Sequence, residues 1–183
     1  MCEVGYLPPQ CLEECGFSQW GLECNETCFC KDEVACDWFT GECPDNQCAP
    51  SYKGDTCNDT CEDGQWGSNC ISECGMCYNQ ESCDKNNGTC VNNCELGYQP
   101  PLCIDECDNG FFGDACQLQC HCQFDVPCDK KIGTCLTGCA PGWIGESCQT
   151  SCNDGYYGLD CLNICGNCLD NDVCTKVYTF VGI

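Results

Sequence analysis

The chain has 183 residues, 31 of them cysteine, and a formal net charge of −23, with 29 acidic residues set against six lysines and no arginine. Cysteine at about 17% exceeds the roughly 8–10% that marks a disulfide scaffold, and Leu, Ile, Val and Phe at about 16% fall short of the roughly 20% expected of a chain with its own apolar core. This balance excludes a conventional globular core, offers no stretch long enough for a membrane-spanning helix, and lacks the clustered cations of a nucleic-acid interface.

In chain order, the cysteines fall into two alternating patterns. Ten-residue loops with eight residues between cysteines run Cys2–Cys11, Cys15–Cys24, Cys48–Cys57, Cys61–Cys70, Cys94–Cys103, Cys107–Cys116, Cys139–Cys148 and Cys152–Cys161. Many carry Gly-aromatic punctuation, as in Gly64-Gln65-Trp66-Gly67, Gly110-Phe111-Phe112-Gly113 and Gly155-Tyr156-Tyr157-Gly158. Glycine there supplies the positive φ of hairpin turns. The aromatic is the one large side chain available to cover a disulfide or the next module. The loops with Gly5-Tyr6 and Gly97-Tyr98 put proline pairs, Pro8-Pro9 and Pro100-Pro101, where the others have Gly. Between pairs of loops lie four-cysteine blocks: Cys28-Cys30-Cys36-Cys43, Cys74-Cys77-Cys83-Cys90 and Cys120-Cys122-Cys128-Cys135. Asp37, Asp84 and Asp129 follow the third cysteine, and Gly41, Gly88 and Gly133 stand two before the fourth, which is turn chemistry.

Starting from Cys15, the whole pattern restarts at Cys61, Cys107 and Cys152, at successive intervals of 46, 46 and 45 residues. Such a period marks a tandem array of small units, each touching only its neighbours, and predicts an elongated rod. Closing a ten-residue loop removes roughly 2.5–3 kcal/mol of unfolded-state entropy, so four bridges give on the order of 10 kcal/mol per repeat. Bridges are therefore expected to be the dominant source of order, and the expected compartment is oxidising and extracellular. The start Met1-Cys2-Glu3-Val4-Gly5 has no basic and apolar leader, so the chain reads as a piece of a larger secreted or surface protein.

Catalytic and metal readings fare poorly. Cys74-x-x-Cys77 and Cys165-x-x-Cys168 have zinc half-site spacing, but Cys28-x-Cys30 and Cys120-x-Cys122 do not, and His121 is the one histidine. Disulfides outweigh metal on compartment and spacing. His121 is expected to be an exposed loop residue rather than a base, with no second histidine to build a relay. No enzyme and no cofactor are expected. Lys53-Gly54-Asp55 looks like an integrin-type tripeptide, yet the turn already demands Gly54. Sequons at Asn25, Asn58 and Asn87 predict N-glycosylation.

These blocks and loops resemble epidermal-growth-factor-like repeats in the eight-cysteine, laminin-type register, in particular the extracellular arrays of multiple epidermal-growth-factor-like-domain proteins and class F scavenger receptors. The resemblance covers residues 1 to 174. It implies a small disulfide-rich fold of tandem modules with short antiparallel β-hairpins. Residues 1–24 then end a truncated module, residues 28–70, 74–116 and 120–161 are modules, and residues 165–183 begin a fourth with an aberrant tail. Within a module the resemblance implies pairing of first to third, second to fourth, fifth to sixth and seventh to eighth cysteine. That gives Cys28–Cys36, Cys30–Cys43, Cys48–Cys57 and Cys61–Cys70, then Cys74–Cys83, Cys77–Cys90, Cys94–Cys103 and Cys107–Cys116, then Cys120–Cys128, Cys122–Cys135, Cys139–Cys148 and Cys152–Cys161. At the ends it gives Cys2–Cys11, Cys15–Cys24 and Cys165–Cys174, and leaves Cys168 unpaired. Spacing alone leaves 105 pairings for eight cysteines. One departure stands out: Pro44 to Gln47, Val91 to Asn93 and Leu136 to Gly138 widen a gap that is often a single residue in the family. In the fourth block Thr175, Thr179 and Val181 take the places of Asp, Gly and Cys.

Two further sites follow from the resemblance. Asp105 and Glu106 are similar to the acidic lead-in of its calcium-binding modules, although Leu102-Cys103 stands where an earlier acid belongs and the segment leads into a Gly-aromatic loop. Loose association of calcium with the acidic surface is the simpler reading. Ser82, between Cys77 and Cys83, matches the O-fucose pattern. In function the resemblance implies a ligand-recognition or spacer segment of a membrane-anchored scavenger or engulfment receptor, with extracellular protein ligands or bridging proteins as partners. The lack of arginine argues against direct capture of anionic membrane. The alternatives are the ectodomain of a receptor tyrosine kinase or phosphatase, and a secreted matrix or adhesion protein.

Overall fold

The structure, a computed structural model, describes residues 2–166 and 174–177. It is a small disulfide-rich fold of repeated modules built from two-stranded antiparallel hairpins and three-residue 3₁₀ turns, with no α-helix among the described residues. The chain forms two compact units, Met1–Asn92 and Asn93–Ile183.

The hairpins grow from the Gly-aromatic loops. In the first unit Gln19–Trp20 pairs with Glu26–Thr27, Tyr52–Lys53 with Asp59–Thr60, and Gln65–Trp66 with Ser72–Glu73. In the second, Phe111–Phe112 pairs with Leu118–Gln119, Trp143–Ile144 with Thr150–Ser151, and Tyr156–Tyr157 with Asn163–Ile164. Each hairpin thus joins mid-loop to the linker beyond, with the loop's closing cysteine inside the turn. The two loops with proline pairs, Pro8-Pro9 and Pro100-Pro101, manage one β-bridge apiece, Tyr6 to Glu14 and Tyr98 to Glu106. Proline has no N–H to extend a ladder.

The turn imposes a conformation the residue types do not announce. The closing cysteine of all eight ten-residue loops is left-handed, with φ between 51° and 59° at Cys11, Cys24, Cys57, Cys70, Cys103, Cys116, Cys148 and Cys161. An L-residue pays roughly 1–2 kcal/mol for that region. Each is bridged to the opening cysteine of its loop, with Cα atoms 5.1–5.4 Å apart.

Sulfur replaces the apolar core. Apart from Phe112, every buried hydrophobic residue among those described is a cysteine, and no polar or charged residue is buried. In the first unit Cys28, Cys30, Cys36, Cys43, Cys48 and Cys57 form one cluster, flanked by Trp20 and Tyr52. In the second, Phe112 packs with Cys120, Cys122 and Cys128.

The Gly-aromatic loop packs against the block that follows it. Trp20 lies on Gly41, Trp66 on Gly88 and Phe112 on Gly133, so close that a Cβ at any of the three glycines would overlap the ring. The indole N–H of Trp20 donates to the Thr27 carbonyl at 3.2 Å, and that of Trp66 to the Glu73 carbonyl at 3.0 Å. A backbone relay repeats alongside. In the first unit the Gly5 N–H donates to Gly21 O and the Gly21 N–H to Trp38 O, while Ser51 donates to Gly67 and Gly67 to Lys85. In the second, Gly97 donates to Gly113 and Gly113 to Lys130, then Gly142 to Gly158 and Gly158 to Lys176. The last link shows the fourth block keeping its seat on the preceding loop at Lys176, although Thr175 stands where Asp is usual.

Candidate functional site

Fifteen bridges are present among the described residues. The first unit joins Cys2 to Cys11, Cys15 to Cys24, Cys28 to Cys36, Cys30 to Cys43, Cys48 to Cys57, Cys61 to Cys70, Cys74 to Cys83 and Cys77 to Cys90. The second joins Cys94 to Cys103, Cys107 to Cys116, Cys120 to Cys128, Cys122 to Cys135, Cys139 to Cys148, Cys152 to Cys161 and Cys165 to Cys174. These are the partners that the laminin-type scheme names. Cys168 and residues 178–183, including Thr179 and Val181, lie outside the described residues.

Two knots of sulfur result. The Sγ atoms of Cys28, Cys30 and Cys36 lie within 4.8 Å of one another, as do those of Cys120, Cys122 and Cys128. Each knot is two crossed disulfides side by side, and a bridged sulfur is not the thiolate a zinc ion needs. The Cys74-x-x-Cys77 pair is split between two bridges, to Cys83 and Cys90. Asp105 and Glu106 are exposed. Their carbonyls accept from the Gln99 backbone N–H at 2.8 Å and the Gln99 side-chain amide at 2.9 Å. No third carboxylate, histidine or cysteine converges on them among the described residues.

The tip of each of the first three blocks is an Asp-led turn. Asp37 Oδ1 accepts the Phe39 and Thr40 N–H groups at 2.8 and 2.9 Å, Asp84 those of Asn86 and Asn87 at 2.9 and 3.1 Å, and Asp129 those of Lys131 and Ile132, both at 2.9 Å. Backbone donation, from Thr40 first and then Phe39, holds the Asp37 carboxyl below its usual range; donation from Ile132 and Lys131 does the same for Asp129. Gly41, Gly88 and Gly133 complete these turns at φ 75°, 76° and 77°.

His121 departs from the exposed-loop expectation. It is half-buried and stacks on Trp143, ring centroids 3.6 Å apart and planes inclined by 13°. Burial pushes its pKa below the ordinary histidine value. Phe29 holds the same place in the first block, between Cys28 and Cys30, and stacks on Tyr52 at 4.2 Å. The residue inside Cys-x-Cys is therefore a plate laid on the aromatic of the next loop. The second block, with Gly75-Met76 between its cysteines, has no ring to offer. No local sequence signal marks this contact; only the alignment of one repeat on another brings Phe29 and His121 into register.

The inserted segment Pro44–Gln47 is tied down. Pro44–Asn46 forms a 3₁₀ turn, the Asn69 amide donates to the Asn46 carbonyl at 2.9 Å, and its Oδ1 accepts the Cys48 N–H at 2.8 Å. Asn25, Asn58 and Asn87 are exposed, as is Ser82. Asn58 Oδ1 accepts the Thr27 hydroxyl at 3.4 Å, and Asn87 Oδ1 accepts the hydroxyl of its own sequon Thr89 at 2.7 Å.

All six lysines are engaged. Lys53 pairs with Glu62 at 2.8 Å, Lys85 with Asp63 at 3.4 Å, Lys131 with Glu95 at 3.5 Å and Lys176 with Asp154 at 3.4 Å. Lys31 donates to Gln47 Oε1 and Lys130 to Asn109 Oδ1, both at 3.2 Å. Lys53, in the Lys53-Gly54-Asp55 tripeptide, is thus committed to Glu62 of the following loop. Open grooves lie on the surface of the described residues. One of about 690 Å³ runs over the tip of the first block, residues 35–44, and one of about 240 Å³ is lined by Gln99, Pro100, Asp108 and Phe111. Among the described residues no helix is long and apolar enough to cross a membrane. No family model matches this chain, and no curated protein matches it.

Proposed function

We propose that this chain is an extracellular protein-recognition or spacer segment of a cell-surface receptor of the scavenger or engulfment type, resembling the arrays of multiple epidermal-growth-factor-like-domain proteins and class F scavenger receptors. It is a binding module and not an enzyme. The density of disulfides fits an oxidising, extracellular setting. The single observation that carries the reading is the state of the cations. Every lysine is already held by an acceptor of its own unit, and no acid among the described residues is buried, so the described surface is acidic and its lysines are already engaged. Such a surface repels anionic particles and favours a protein bridge.

The test is co-sedimentation of the disulfide-bonded chain with phosphatidylserine/phosphatidylcholine vesicles in calcium-free buffer near 0.15 M salt. The expected result is no association above that seen with pure phosphatidylcholine. Saturable binding to the anionic vesicles overturns the reading.

A further inference from the structure

The tips of the four blocks are not equivalent. The two residues after the turn-leading position are Lys85-Asn86, Lys130-Lys131 and Lys176-Val177 in the later blocks, and Trp38-Phe39 in the first. The lysines at the first of these positions reach back to the preceding loop, to Asp63, Asn109 and Asp154. The first block has Phe17 and Trp38 in the corresponding places and gives up the polar link. Its second aromatic, Phe39, is 62% exposed, and Val34 nearby is 49% exposed. Neither belongs to the sulfur core of that unit.

Around these rings the charge is one-sided. The groove of about 690 Å³ is lined by Trp38, Phe39, Ala35, Pro44, Asp37 and Glu42. Asp37 is occupied by the backbone of its own turn. The Glu42 carboxylate has no partner among the described residues. Residues 31–45 add Asp32, Glu33 and Asp45, against Lys31, which is bound to Gln47. An aromatic floor with an unpaired carboxylate at its edge suits a cation with an apolar stem: the ring faces attract the charge and the stem covers the rings.

We infer that this groove is a docking site for a lysine- or arginine-bearing segment of a protein partner, with the basic side chain laid across Phe39 and Trp38 and its charge on Glu42. This rests on the extracellular-recognition reading and gives it a ligand class. The opposite sign of the partner follows from the net charge of −23, and the location follows from the one block whose tip is aromatic.

The test uses the full disulfide-bonded chain and a synthetic nonapeptide of alternating arginine and glycine as probe, with amide shift mapping and calorimetry at 0.15 M salt. The expected result is shifts concentrated in residues 35–44, and about tenfold weaker binding for the charge-neutral, exposed variant Phe39→Asn, which writes the second block's Asn86 into the first. Glu42→Gln is expected to weaken binding several-fold. Amide spectra of both variants report that the fold is kept. If the peptide binds but Phe39→Asn matches the parent, or the shifts spread over the acidic surface at large, the groove assignment falls while the acidic-surface reading stands. If the peptide fails to bind while anionic vesicles do bind, both fall.

Discussion

Treating the folded chain with excess dithiothreitol in native buffer is expected to abolish amide-exchange protection and near-ultraviolet aromatic dichroism in both units. The expectation follows from what is buried. Among the described residues the core consists of cysteines and Phe112, so nothing else is available to exclude water. Most bridges close a separation of 9 residues, and the crossed pairs close 8 or 9 together with 13. Each such closure removes roughly 2.5–3 kcal/mol of unfolded-chain entropy, and four per period reach about 10 kcal/mol, the scale of a whole domain's net stability of about 5–15 kcal/mol. Reduction also leaves the eight closing cysteines in a left-handed conformation that costs roughly 1–2 kcal/mol each with no covalent closure of the turn to offset it. With net charge −23 and few aliphatic residues, the reduced chain belongs with disordered sequences. Protection that persists in reductant, at any group of amides within residues 2–166, contradicts this.

Gly88→Ala is expected to cost about 2–5 kcal/mol, and Gly64→Ala only about 1–2 kcal/mol. Both glycines have positive φ, 76° and 87°, so the backbone strain of adding a side chain is common to the two. They differ in what a Cβ meets. At Gly88 it enters the indole of Trp66, whereas at Gly64 nothing lies within 4 Å. The difference between the two variants therefore isolates the ring-on-glycine contact that couples a loop to the block after it. Gly41 under Trp20 and Gly133 under Phe112 repeat the arrangement, and Gly133→Ala is expected to resemble Gly88→Ala. Denaturant midpoints of the oxidised proteins measure the pair. Equal losses for Gly88→Ala and Gly64→Ala show that the aromatic does not seat on the block.

Several of these features are visible in the residues themselves. Asp37, Asp84 and Asp129 with Gly41, Gly88 and Gly133 read as turns because the chemistry is local, an acceptor and a positive-φ residue a few positions apart. The Gly-aromatic loops read as hairpins for the same reason. Whether Trp66 covers its own bridge or the next module is left open by the sequence, since the ring and Gly88 are 22 positions apart and nothing nearby decides between them. The left-handed cysteines are invisible because no glycine or asparagine stands at Cys70 or Cys116; the turn imposes what the side chain disfavours, as it does at the unbridged Ala115 and Phe124. His121 reads as a lone polar residue, and its stacking on Trp143 comes from the fold of the Cys-x-Cys knot. The fourth block looks broken after Thr175, yet Lys176 keeps the backbone link from Gly158, because that link uses a carbonyl and is indifferent to the side chain.

The covalent frame is most directly tested by a peptide map of the non-reduced protein. The sulfurs of Cys28, Cys30 and Cys36 lie within 4.8 Å of one another, so an alternative pairing needs little movement, and the crossed pairs discriminate best. Cys28 is expected to be linked to Cys36 with Cys30 linked to Cys43, and Cys120 to Cys128 with Cys122 linked to Cys135. Nested links such as Cys30 to Cys36, or free thiols at these positions in folded protein, contradict this pairing.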